Sequence, residues 1–188
     1  MELLAAHEEA MAEFDRRVRA IGERQWGSAT PCTDWTVREL LNHLVAEQLW
    51  APWLLRGATL DEVGDRFDGD QLGTDPKGAW GLAARAAREA WEQPGAAEGT
   101  VHVSHGTISA LEYGWQMTMD LAVHGWDLAT ALGAESRIHP ALAQTLLEIF
   151  GPQAGTLREV GIVAPPVAVA VDADAQAKLL AVLGRDPR

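Results

Sequence analysis

Asp120-Leu121-Ala122-Val123-His124-Gly125-Trp126-Asp127 is the stretch from which the rest of the chain can be ordered. Asp120 and His124 stand four apart, and Asp127 follows three later. In a helix these spacings stack side chains on one face with Cβ atoms about 5 to 6 Å apart, so Asp120 and His124 can share one metal ion. The same pair also makes an ordinary helix-surface hydrogen bond, so a metal site needs a further ligand from elsewhere in the chain.

Working outward, Ser109 with Glu112 offers a capping box for a long helix that runs through Met117, Leu121 and Leu128 to a C-terminal glycine, Gly133. Upstream, Thr36 with Glu39 caps a helix that can run to about Arg56. Val37, Leu41, Leu44 and Val45 lie on one of its stripes; His43, Glu47, Trp50 and Leu54 lie on the adjoining one. Leu4, Met11, Phe14, Val18 and Ile21 recur at three- and four-residue steps, which predicts a first helix from Leu3 to about Glu23. Asp75-Pro76 starts another, through Trp91 to the stop Pro94-Gly95. Between these helices, residues 57–75 read as a long connection with room for one short helix around Leu60 to Phe67. The stretch to Gly106 reads as a polar loop, despite the brief alternation Val101-His102-Val103. Pro140 can start a further helix through Leu146 and Phe150, and Asp174 can cap a last one ending at Gly184.

Four long amphipathic helices without a convincing sheet predict an all-α four-helix bundle over about residues 1–133. Short C-terminal helices follow in 134–188, and residues 1–188 form a single domain. Helical rise then constrains topology. His43 lies about 10 Å inside the start of the second long helix, and His124 about 12 Å before the end of the fourth. Antiparallel, the two histidines are level; parallel, they miss by about 12 Å, which bonds near 2 Å cannot span. The second and fourth long helices are therefore expected to be antiparallel neighbours, with 57–75 crossing the end of the bundle.

Fifteen Lys+Arg against 27 Asp+Glu give a formal net charge of −12, which opposes binding to nucleic acid phosphates. The single cysteine, Cys32, cannot form an intramolecular disulfide, and the acidic N-terminus is unlike a secretory signal, so a cytoplasmic location is expected. The longest apolar run, 160–171, contains Pro165-Pro166 and is too short to span a bilayer, so no membrane partner is expected. Self-association into a homodimer stays open.

Two imidazoles and one carboxylate (His43, Asp120 and His124), with positions left for water or substrate, are the composition of a catalytic divalent-metal site; a structural site would use four protein ligands. Zinc suits it first, with nickel or iron as alternatives. Glu47, one turn after His43, can be a fourth ligand, a base or a solvated carboxylate, with the last two favoured. Asp127 can orient a ligand histidine through its second ring N–H, or face solvent. His102 and His105 form a rival His-x-x-His pair but read as loop residues at a pocket mouth, and His7 and His139 have no evident partners. Cys32 reads as a small buried apolar residue; the tryptophans read mostly as core at helical spacing, with pocket walls as the alternative for Trp126 and Trp50.

The run Thr30-Pro31-Cys32-Thr33-Asp34-Trp35-Thr36-Val37-Arg38-Glu39-Leu40-Leu41-Asn42-His43-Leu44, the segment Asp120 to Ala129 and the ending Leu183-Gly184-Arg185-Asp186-Pro187 together resemble the actinobacterial DinB/YfiT-like family related to mycothiol-dependent maleylpyruvate isomerase. The resemblance covers nearly the whole chain. It implies up-down-down-up order and a divalent metal on His43, Asp120 and His124. It also implies mycothiol as co-substrate in S-transfer or isomerisation of an electrophilic small molecule. The isomerase has Glu where this chain has Asp120, and it carries an additional C-terminal domain, so metal binding carries over better than its particular reaction. A non-catalytic metal- or small-molecule-binding protein is the alternative.

Overall fold

The computed structural model describes residues 1–33, 35–159 and 161–187; Asp34 of the 30–44 run, Val160 of the 160–171 run and Arg188 lie outside them. The long helices are α1 (Leu3–Ala20), α2 (Val37–Leu54), α4 (Pro76–Trp91) and α5 (Ala110–Ala131). Shorter elements are α3 (Leu60–Val63), the strands β1 (Thr100–Val103) and β2 (Gly106–Ser109), α6 (Pro140–Phe150), α7 (Ala154–Glu159) and α8 (Ala175–Val182).

Local chemistry accounts for the boundaries. Thr36 and Glu39 form the expected reciprocal box at the start of α2, and Thr59 with Glu62 forms a second at α3. Asp75, Ser109 and Asp174 each accept a backbone N–H three residues on. Helix α5 ends in a Schellman motif: Gly133 N–H reaches Thr130 O, and Ala134 N–H reaches Ala129 O. Two elements differ from expectation. Residues 100–109 form an antiparallel hairpin pairing Val101 with Ile108 and His102 with Thr107, because Val101 is fully buried and the short alternation has a core to face. Helix α7, not foreseen, adds one more turn to the extension.

Side-chain contacts give the helix directions. Leu3 lies against Gly114, His7 pairs with Thr118, and Phe14 and Arg17 flank Gly125, so α1 and α5 are parallel. Trp91 meets His7, Trp80 meets Phe14 and Asp15, and Lys77 reaches Arg19 O, so α4 runs antiparallel to α1. His43 meets His124 and Glu47 meets Asp120, so α2 runs antiparallel to α5. With α1 between α4 and α5, and α2 closing the ring against the same two, the order is up-down-down-up. The α1–α5 approach depends on Gly114: a Cβ there would fall 2.6 Å from Leu3 Cδ2 and 3.0 Å from Trp91 Cη2. The core includes Leu40, Leu41, Leu44 and Val45 of α2, all fully buried, each worth about 2 kcal/mol in transfer free energy.

The connection after α2 does not cross the bundle end, because α2 and α4 point the same way and the chain must travel back along the bundle. Arg66 sits over Trp53, Phe67 packs on Trp50, Asn42 donates to Gly69 O, and Arg38 bonds Asp70 and Gly73 O. Residue numbers rise along this run as they fall along α2.

His7, without an evident partner in sequence, is buried between α1 and α5. Thr118 spends its hydroxyl hydrogen on Gly114 O at 2.7 Å, so it accepts from His7 Nδ1 at 3.2 Å, and Nε2 is left without a partner. Burial, with Arg88 nearby, lowers its pKa from 6.5 to about 4. Below pH 6.5 the unfolded chain takes a proton that the folded one refuses until about pH 4. Stability from this group is therefore present above pH 6.5 and lost as pH falls to 4, by about 3 kcal/mol in total. Denaturant unfolding of the wild type and His7→Gln across this range should show the variant with the shallower slope.

Candidate metal centre

The loop before α2 is tied down at both ends: Val37 N–H donates to Ser28 O, Arg38 N–H to Trp26 O, and Thr30 Oγ1 to Trp35 O at 2.9 Å. This sets the Trp35 ring against both histidines, with ring centres 4.8 Å from His43 and 5.6 Å from His124. The histidine rings themselves lie 5.3 Å apart, edge to face.

Asp120 lies between them. Its Oδ2 is 3.9 Å from His43 Nε2, and its Oδ1 is 4.0 Å from His124 Nε2. Glu47 Oε1 stands 3.6 Å from the same His43 nitrogen. The compact donor set within 4.8 Å is His43, Glu47 and Asp120, while His124 falls into an adjoining set with Cys32 and Asp127. The expected trio therefore spans two groups, bridged by Asp120. Donors around a tetrahedral ion at about 2.1 Å sit about 3.4 Å apart, and the contacts of Asp120 and Glu47 to the imidazoles lie close to that spacing. His43, Asp120 and His124 do not together come within 4.8 Å of one another, so holding one ion on all three requires side-chain movement of more than about an ångström.

Electrostatics at the pair of carboxylates favour a cation. Burial pushes Glu47 well above the usual carboxyl range, and the charge of Asp120 adds to it. Burial opposes ionisation of Asp120 too, but the neighbouring His43 and His124 imidazoles outweigh it and hold Asp120 below its usual value. Glu47 Oε2 is buried without a hydrogen-bond partner. Among the described residues, no lysine or arginine lies within ion-pair distance of either carboxylate. Two imidazoles, two carboxylates and an orphaned oxygen are a donor set that fits a divalent ion. The buried Oε2 also argues against Glu47 as a simply solvated carboxylate.

Asp127 does not face solvent. It is fully buried and accepts from His124 Nδ1 at 3.0 Å on Oδ2. That bond places the ring proton on Nδ1 and leaves the Nε2 lone pair on the Asp120 side. Tyr113, not singled out from sequence, is buried close enough that burial and the Glu47 and Asp120 charges raise its pKa, keeping the hydroxyl protonated.

A cleft of about 390 Å³ opens onto His43, Asp120 and His124. Its aromatic wall is Trp35 rather than Trp126 or Trp50; Trp126 is buried in the core, and Trp50 packs on Phe67. Cys32, expected to be buried, is partly exposed and borders the cleft, with Sγ within 4.8 Å of a His124 nitrogen and an Asp127 oxygen. Ile162, Val163 and Arg185 come from the C-terminal extension. His102 and His105 belong to the hairpin and are not part of the cleft lining. The Cys32, Trp35 and Arg185 contributions were not legible, since each depends on how a loop or tail folds back.

A helical bundle with a histidine and carboxylate cluster between its second and fourth long helices is the DinB-like class of architecture. Residues 7–129 match the family described as Mycothiol maleylpyruvate isomerase N-terminal domain, and the chain belongs to that family. Uncharacterized proteins from two strains of Mycobacterium tuberculosis are each 31% identical over 161 residues, covering 81% of this chain and 82% of theirs. The crystal structure of the mycothiol-dependent maleylpyruvate isomerase has the same fold, with TM-score 0.64 and 15% identity over 81% of this chain and 68% of that one. A histidine-to-alanine mutant of that isomerase gives TM-score 0.65 at 14% identity over the same shares.

In metal-free protein the carboxylate pair is a cost to stability. Glu47→Gln, which keeps the shape and removes one acid, should stabilise the chelator-treated protein by about 1 kcal/mol, visible as a higher melting temperature.

Proposed function

We propose that this protein is a divalent-metal-dependent enzyme of small-molecule thiol chemistry, with His43, Asp120 and His124 as metal ligands and mycothiol as co-substrate for S-transfer or isomerisation of an electrophile. The observation that carries the reading is the convergence of both imidazoles on Asp120 at the floor of an open cleft. The names of the structural relatives support the choice of thiol.

A divalent ion held there, zinc foremost, would supply Lewis acidity and lower the pKa of a coordinated thiol. The protein's own residues do the rest. Asp127 fixes the His124 ring so that Nε2 presents its lone pair to the site. Glu47, 3.6 Å from His43 and not itself part of the cleft lining, holds its proton to higher pH than an ordinary carboxyl, which makes its ionised form a stronger base beside that imidazole. Trp35 covers the imidazoles on one side and excludes water from them. Met119, Val123 and Ile162 give the cleft an apolar wall while Thr33 and Arg185 add polar groups. At about 390 Å³, it is within the size range of small-molecule sites. An open cleft with polar groups favours catalysis over passive binding.

Among the described residues, no helix is long and apolar enough to cross a membrane. Cys32 sets up a rival: beside His124 and Asp127, it offers a thiol of the protein's own as nucleophile.

Metal analysis and mycothiol titration test the proposal. The wild type should carry stoichiometric divalent metal, and His43→Ala and His124→Ala should lose it while keeping their helical circular dichroism. Full metal occupancy in both variants would remove the ligand assignment. Mycothiol should bind the metal-loaded protein, and its omission should abolish turnover, whereas Cys32→Ser should retain it. Loss of turnover in Cys32→Ser with metal intact would transfer the nucleophile to Cys32.

A further inference from the structure

Arg185 lies 58 residues beyond Asp127, yet its Nη2 donates to Asp127 Oδ2 at 3.1 Å, the same oxygen that accepts from His124 Nδ1. The other oxygen, Oδ1, is buried without a partner. The orientation of this carboxylate therefore rests on two donors, one of which is the imidazole it is meant to hold. Arg185 is the second, and it is the only full cation within ion-pair distance of Asp127 among the described residues.

The arginine is delivered by a specific turn. Helix α8 ends in a Schellman motif in which Gly184 N–H reaches Ala181 O and Arg185 N–H reaches Leu180 O. Gly184 has φ +82°, and a Cβ on it would fall 2.6 Å from Ala164 Cβ and 2.7 Å from Ala164 O. Only glycine fits both the backbone conformation and the close approach. Arg185 Nη1 then donates back to Leu183 O at 3.1 Å, which holds the guanidinium in place.

We infer that Arg185 is a positioning residue. Through Asp127 it fixes His124 as the Nδ1–H tautomer, ring aligned, with the Nε2 lone pair directed to the Asp120 side. The C-terminal extension is on this account a structural part of the proposed metal centre. The inference rests on reading His124 as a ligand. Without the arginine, Asp127 can rotate away, and the imidazole is free to carry its proton on Nε2, which removes the lone pair from the Asp120 side.

Two measurements on full-length protein test it. In chelator-treated, histidine-labelled protein, nitrogen NMR at neutral pH should show His124 as a single Nδ1–H tautomer. Arg185→Ala and Gly184→Ala should convert it to a tautomer mixture, and Arg185→Lys should recover part of the wild-type signal. Zinc affinity, read by competition with a chelating dye, should fall about 10- to 100-fold in Arg185→Ala and recover partly in Arg185→Lys. Unchanged tautomer and zinc affinity within about twofold in Arg185→Ala would overturn the inference, as would a lysine variant no better than alanine. If the wild type binds no zinc but its His124 tautomer still depends on Arg185, positioning stands and the metal reading falls.

Discussion

The parallel direction of α2 and α4 is the constraint on which the molecule depends. It forces the intervening chain to run back along α2, and it leaves α2 free to meet α5 head to tail. Only that arrangement brings a histidine near the start of one helix level with a histidine near the end of the other. The return run is fastened at several points, by Arg38 to Asp70 and Gly73, and by Asn42 to Gly69 and Gln71. Contacts that look like surface decoration thus hold the geometry of the site.

The site's chemistry follows from placing like charges together at partial burial. Asp120 and Glu47 face each other across the helix pair with imidazoles and the Tyr113 hydroxyl nearby and, among the described residues, no lysine or arginine within ion-pair distance. A fold optimised for stability alone would put a basic side chain there. The opposite case is Asp15, on the outer part of α1, where Arg19 and the Trp80 N–H satisfy the carboxylate. The contrast marks the α2–α5 interface as a place where the carboxylates lack the cationic partners that Asp15 has, the kind of local conflict expected at a functional site.

Most of the helical frame was legible in the sequence because it is written in short-range signals. Thr36 with Glu39, Asp75 before Pro76, Asp174 and the glycine at 133 are caps whose hydrogen bonds span a few residues. The facing of His43 and His124 was legible as well, since helical rise converts residue number into height. What escaped depends on long-range return. The hairpin at 100–109 has strands of four residues, too short for alternation to be distinguished from a loop. The path of 57–75 was mistaken because residue spacing allows a crossover but does not say which surface carries it. Trp35 and Cys32 reach the cleft through the folding back of 28–37, and Arg185 through the turn at Gly184, so no periodicity announces them.

The pairing of α1 with α5 has a consequence for how the chain acquires its structure. His7 finds Thr118 across 111 residues, and Leu3 finds Gly114 across the same separation. During synthesis the first helix therefore emerges with its apolar face bare, and its main seat does not exist until the central helix has left the ribosome. Before that, α4 covers only part of the face, through Trp80 on Phe14 and Trp91 on His7. Completion of the α1 face waits on closing the 111 residues between His7 and Thr118, and until then part of that face stays open to aggregation.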